Sequence, residues 1–177
     1  MTTAVIDYTR GSQYVENNSN DGTAHGLVGK LTIRGNTFDT IERMDGYVAL
    51  DGGRDYPNSV MYWHKRLGCY VVNPWHQKRN KDGDIAEILI HRAEVPSHLK
   101  GCIGPGVLSG SRMTKSTEAM ATIWKQAGGA DGVDKVVVTL RVNGNMKQLS
   151  ECTKYDPTPT NTYGPTIGGL LDQMPFF

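Results

Sequence analysis

The sequence predicts a mainly β domain of the α+β class, a small twisted sheet or barrel-like sandwich packed on one main helix near residues 114–127. Three observations predict it. Apolar and polar residues alternate over several short stretches. Glycine fills 21 of 177 positions and places turns between those stretches. One segment carries a sustained helical period. A hydrophobic content of 38% is too low for a rich helical bundle. The length suits one domain of ordinary size with decorations.

The elements follow in order. Residues 1–24 are polar, and Glu16 to Thr23 reads as a turn or loop with no apolar period to bury. Leu27, Gly29, Leu31 and Ile33 alternate with Val28, Lys30, Thr32 and Arg34, which predicts a strand. Gly35-Asn36 turns the chain, and Thr37 to Glu42 returns as the second strand of a hairpin. Gly46 to Leu50 reads as a further short strand, broken at Asp51 to Pro57. Ser59 to Trp63 and Leu67 to Val72 read as a strand pair. The charged, glycine-containing stretch Gln77 to Asp84 reads as a solvated loop. Ile85 to Ile90 is the most apolar strand candidate and ends directly at His91. Residues 92–112, punctuated by Pro96, Gly101, Gly104, Pro105, Gly106 and Gly110, read as a loop.

Thr114 or Ser116 can cap the helix, and Glu118 sits in its first turn, where the dipole favours an acid. Met120, Ile123, Trp124 and Ala127 form its buried face, and Gly128-Gly129 stops it. Val133 to Val142 is a β-branched strand that Asn143-Gly144 turns toward Met146 to Leu149, a hairpin. The divisions expected are therefore a polar segment 1–24, a main domain 25–128, a C-terminal strand or hairpin 129–152, and a Pro-rich extended arm 153–177.

Nineteen Lys and Arg stand against eighteen Asp and Glu, a balance that argues against a general nucleic-acid or membrane-surface binder. No apolar run approaches a membrane span, and the N-terminus lacks a secretory signal, so a soluble product of the cytoplasm is expected. Cys69, Cys102 and Cys152 are odd in number, far apart and without a CxxC, so no disulfide framework is expected.

The informative stretch runs from Ile88-Leu-Ile-His91 through Pro96-Ser97-His98 to Gly101-Cys102-Ile103-Gly104. A histidine at a strand end and a cysteine after a glycine are the two parts of a thiol nucleophile site: imidazole takes the proton, and thiolate attacks a carbonyl. Gly101 allows a tight turn, and the amides of Ile103 and Gly104 could face a developing oxyanion. Other readings stand beside this one. His91 and Cys102 can be buried structural residues, or His91, His98 and Cys102 can bind zinc, although no fourth ligand or familiar spacing is present. Tyr62, Trp63, Tyr70 and Trp75 can stack on sugars or pair across strands in a core.

These residues carry two resemblances. From Leu27 to about Gln126 the chain resembles a domain family of unknown function found mostly in phages and prophages. It shares the strand pair at 29–35 and 38–42, Gly46-Tyr47-Val48, Ile88-Leu-Ile-His91, Gly101-Cys-Ile-Gly-Pro-Gly106, and the helix opening Ser116-Thr-Glu118. The His and Gly-Cys-Ile motifs are also similar to the active site of the L,D-transpeptidases (YkuD-like catalytic domains), cysteine enzymes of peptidoglycan stem peptides. Arg92 stands where that family has glycine, Gly104 where it has arginine, and Ser97 lies farther from the cysteine.

The resemblance implies that residues 25–128 are L,D-transpeptidase-like. It implies a phage-encoded cysteine peptidase or transpeptidase that forms a Cys102 acyl-enzyme on murein stems. His91 would be the base, Gly101, Ile103 and Gly104 the nucleophile turn, and His98, Ser97 and Arg92 substrate-binding residues. The competing expectation is a non-catalytic structural or assembly component of a virion that keeps the fold. Neither needs a metal or cofactor. The expected partners are a bacterial cell-wall peptide, neighbouring virion subunits or further copies of the chain, with no nucleic acid and no membrane. The expected place is the host cytoplasm when made, then the virion or the host cell wall.

Overall fold

Ala4, Ile6 and Tyr8 alternate with Val5, Asp7 and Thr9, a two-residue period that makes the N-terminal segment a strand. The computed structural model describes residues 2–157, and in it this strand, β1 (Ala4–Ser19), lies inside the sheet. It pairs antiparallel with β2 (Gly22–Ile33) and parallel with β8 (Lys135–Asn143). The expectation of a polar segment over 1–24 outside the main domain, with a loop at Glu16–Thr23, is thus corrected: only Asn20 and Asp21 lie between the two strands. Ile6 and Tyr8 are fully enclosed, and the next inward residue is Arg10, whose charge hides the alternation from a hydropathy reading.

The hairpin of β2 and β3 (Asn36–Arg43) forms as expected, but its two-residue turn is Arg34-Gly35, both at positive φ (45° and 80°). The strand expected at Gly46–Leu50 does not form. β4 (Arg54–His64) starts earlier than the sequence indicates. An irregularity between Tyr56 and Ser59 lets it carry Pro57, and it pairs with β5 (Cys69–Asn73).

Two further strands, β6 (Ile103–Ser109) and β7 (Arg112–Thr114), occupy what reads as a loop. β6 looks unlike a strand because its backbone packs too closely for side chains: a Cβ on Gly104 would lie 2.8 Å from that of Ala93. The sheet order is β5-β4-β8-β1-β2-β3-β6-β7, with β9 (Thr153–Lys154) also on β1. The expected hairpin of β8 with Met146–Leu149 is absent. β8 is held between β1 and β4 instead, and a 3₁₀ turn (Leu149–Glu151) leads to β9. The expected arm therefore begins as a sheet strand, and its part from 158 onward lies outside the described residues.

Ile85 to Ile90 is buried at Ile88, Leu89 and Ile90 but makes single bridges rather than a ladder. Ile90 exchanges both main-chain hydrogen bonds with Val72 of β5. On its other side the His91 N–H donates to Ile103 O, and the Ile103 N–H to Leu89 O. This segment therefore spans the gap between the outer strand β5 and β6 and makes the open sheet barrel-like.

The single α-helix among the described residues, α1 (Ser116–Gln126), packs Met120, Ile123 and Trp124 inward as its period predicts. Trp124 stacks on Tyr70 at 4.4 Å, and Trp63 meets Tyr70 edge-on at 5.1 Å. Tyr70 and Trp124 thus dock the helix on the sheet, while Trp63 and Trp75 stay exposed. Farther along the inward row of β1, Arg10 forms a two-point ion pair with Glu42 (Nε–Oε1 and Nη2–Oε2, both 2.8 Å), with both side chains fully buried. The Tyr8 hydroxyl donates to the same carboxylate. Arg10 also donates to Leu50 O and Gly144 O, which ties two loops to the strand pair.

Candidate functional site

The main chain settles where the two expected catalytic side chains go. Cys102 precedes β6 and lies beside the 87–89 segment: its Sγ accepts from the Leu89 N–H (3.5 Å) and donates to Glu87 O (3.7 Å). Its side chain belongs to an apolar cluster with Leu89, Leu99, Ile41 and Met113. Burial pushes its thiol pKa up, against the lowering effect of the Leu89 and Lys100 amides. Burial outweighs those amides, so the thiol is favoured over the thiolate.

His91 lies farther along the same segment and does not face that sulfur. Its Nδ1 is 2.7 Å from Arg92 O. A carbonyl only accepts, so Nδ1 carries the hydrogen, and the neutral ring keeps its lone pair on Nε2. Burial lowers the His91 pKa. The bond to Arg92 O opposes this, and the nearby His64, Arg92 and His98 add to the lowering. The thiol–imidazole pair expected from the sequence is not assembled. Sγ is spent on main-chain groups at 87 and 89, and the ring is turned to a different surface. The physical reason is the short extended segment, whose buried apolar side chains fix the sulfur on one stretch and the imidazole beyond it.

The other expected residues divide in the same way. Gly101 has φ of +82°, and a Cβ there would come within 2.5 Å of Val48 O, so the turn itself requires glycine. Ile103 is fully buried, and Gly104 packs on Ala93. Both serve the β6 pairing. Ser97 is held by Asn17 of β1, which donates from Nδ2 to its hydroxyl (2.7 Å) and accepts from its N–H (3.0 Å). Among the described residues no group of His, Cys, Asp or Glu comes together as metal ligands, so the zinc set of His91, His98 and Cys102 does not form.

His91, Arg92 and His98 do converge. They line a cleft of about 520 Å³ together with Arg66, Arg112 and Lys115. The N-terminal end of α1 forms one wall, through Ser116, Thr117 and Glu118. Lys115 precedes the helix in a left-handed conformation (φ 53°), and no side chain caps the helix. The Ser116 hydroxyl instead donates to Pro105 O and accepts from the Ala93 N–H (3.0 Å), which pins the helix start to β6. This corrects the expected cap at Thr114 or Ser116. The first helical N–H groups are left facing the cleft end of the helix. Arg92 Nε donates to Leu67 O, and Arg112 pairs with Glu94 at 2.7 Å. Sequence reasoning missed Arg66, Arg112 and Lys115 because they are scattered over three segments. The only trace they leave is a basic residue beside each turn. No helix among the described residues is long and apolar enough to cross a membrane.

Comparison with protein-family models, curated proteins and solved structures gives no match for this chain.

Proposed function

We propose that the chain is a non-catalytic structural or assembly component of a phage particle, in which the Gly-Cys-Ile turn serves the core. The observation that carries this reading is the Cys102 thiol. It is closed among apolar side chains, hydrogen-bonded to Glu87 O and Leu89 N–H, and pushed up in pKa by burial. A nucleophilic cysteine needs the opposite surroundings, an exposed sulfur beside a base. The sequence resemblance to a phage and prophage family supports the particle, and the Pro-rich sequence toward the C-terminus supports contacts with neighbouring subunits.

The rival reading is a peptidoglycan-acting transpeptidase with a Cys102 acyl-enzyme, and it makes the opposite demand on the same atom. Purified peptidoglycan incubated with wild type, with Cys102→Ser and without protein distinguishes them by the muropeptides released. A serine hydroxyl can keep the bond to Glu87 O, so this variant keeps the fold. Three identical profiles are expected. A product formed by wild type and lost in Cys102→Ser would overturn the proposal.

A further inference from the structure

A second cleft, of about 420 Å³, lies between the start of β4 and the loop that follows β5. Tyr56, Pro57, Pro74 and Trp75 form its apolar wall. Trp75 is 54% exposed, and its backbone is left-handed (φ 53°), which is strained for a residue with a Cβ. Two side chains hold it there. Asn73 Oδ1 accepts from the Trp75 N–H (2.9 Å), and Gln77 Nε2 donates to Trp75 O (3.1 Å). The core does not account for this indole, since Trp75 belongs to neither apolar cluster. In the same cleft His76 is only 7% exposed, and its Nε2 has no hydrogen-bond partner among the described residues.

The charges around this cleft are already matched. Asp51 pairs with Lys78 and Arg54, and Asp55 with Arg141, so nothing there selects an ion. What is left is apolar surface with open donors. The Trp75 indole N–H and the Asn58 amide line the cleft without a partner among the described residues. Such a surface suits a proline-containing peptide: proline rings pack flat on aromatic and proline side chains, and the peptide carbonyls accept from the donors between them. The chain itself carries one. Residues 158–177 hold three of its eight prolines, Pro159, Pro165 and Pro175, with Asp172 as the one charged side chain. The described part of the chain leads into that segment at Pro157, beside Asn17 and Asn18 of β1. The cleft lies level with Tyr8, through the pairs Tyr8–Val142 and Val142–Arg54. About nine strand residues, or about 30 Å, separate the two levels. The segment, extended, spans about 60 Å, enough to leave its own sheet and reach a neighbour.

We infer that residues 158–177 of one copy dock in the Trp75 cleft of a neighbouring copy. The inference rests on the reading of the chain as an assembly component, which selects a neighbour's cleft over the segment's own. The prolines pack on Trp75, Pro57 and Pro74, and main-chain carbonyls of the segment accept from the indole N–H and the Asn58 amide. The contact is heterologous, because each copy gives a segment and receives one, so it repeats around a ring or along a row.

The test is sedimentation of the full chain over a range of concentrations, with two full-length variants. Trp75→Ala removes the indole of the cleft, and Pro159→Ser with Pro165→Ser and Pro175→Ser alters the segment. Wild type is expected to self-associate as concentration rises, and each variant to associate about tenfold or more weakly. Mixed together, the two variants are expected to pair one to one. Trp75→Ala still gives a normal segment, and the proline variant still offers a normal cleft. Circular dichroism and thermal unfolding report the folding of each variant. A mixture that stays monomeric, a wild type that is monomeric at every concentration, or a Trp75→Ala chain that associates like wild type overturns the inference. In the last case association through another surface leaves the assembly reading standing, and the muropeptide comparison tests that reading separately.

Discussion

Two buried polar groups in this protein, Glu42 and His91, are treated in opposite ways. Glu42 is surrounded by partners: Arg10 donates to both carboxylate oxygens, Tyr8 adds a third bond, and two further Arg10 hydrogens go to Leu50 O and Gly144 O. Burial and the Glu42 charge together raise the Tyr8 pKa, so the phenol stays a donor. His91 is nearly as enclosed but satisfies only one nitrogen, with the other turned to a cleft lined by unpaired cations. The first arrangement is closed and serves the fold. The second leaves donors and an acceptor open to the cleft, where water can meet them. Burial of a residue therefore does not by itself say whether its polar atoms are enclosed or open to solvent.

The largest effect that can sharpen this contrast lies at the closed end. Arg10→Met leaves the Glu42 carboxylate buried without its partner, and a loss of about 3–5 kcal/mol in urea unfolding is expected. Adding Glu42→Leu to the same chain removes the stranded charge and is expected to restore much of that loss. A double variant as unstable as the single would show that the pair is not the unit that matters.

A smaller effect is expected at His91, and its sign follows from the direction of its shift. Burial holds the folded-state pKa below the ordinary 6.5, so the folded chain binds protons less readily than the unfolded one. Stability is therefore fully present above pH 6.5 and is lost as pH falls from there through the lowered pKa. His76 is shifted the same way, first by burial and then by Lys78. The carboxylates Asp45, Asp51 and Glu16 are held below their ordinary range, so they act only at more acid pH. Urea unfolding at pH 7.5 and 5.5 is expected to show a smaller drop for His91→Gln than for wild type, with the His76 share remaining. Equal drops would place His91 outside the linkage.

How much of this was legible in the sequence depends on whether a residue's signal was local. The β2–β3 hairpin, the β4–β5 pair and α1 carry their own periods and turns, and all three were readable. β1 was missed because its inward row passes from Ile6 and Tyr8 to Arg10, whose partner Glu42 is 32 residues away. β6 was missed because close backbone packing on Ala93 requires glycine where a strand usually shows apolar residues. At the candidate site, the strand-end histidine and the glycine turn were visible, and so was the need for Gly101. What sequence spacing could not show is that Cys102 lies against residues 87–89, while His91 sits beyond them and lines the cleft. Nor could it show that the histidine's company comes from the β4–β5 turn, β7 and α1.

The most direct measurement of the central claim is the relative reactivity of the three thiols toward iodoacetamide in the folded chain near neutral pH, resolved by peptide mass analysis. Cys69 and Cys102 are buried and Cys152 is partly exposed, and burial pushes the Cys102 thiol up. Modification of Cys152 first is expected, with Cys102 and Cys69 protected until the chain unfolds. Modification of Cys102 ahead of Cys152, with a rate that reaches its plateau below the ordinary thiol range, would contradict the closed-core account and return Cys102 to the role of a nucleophile.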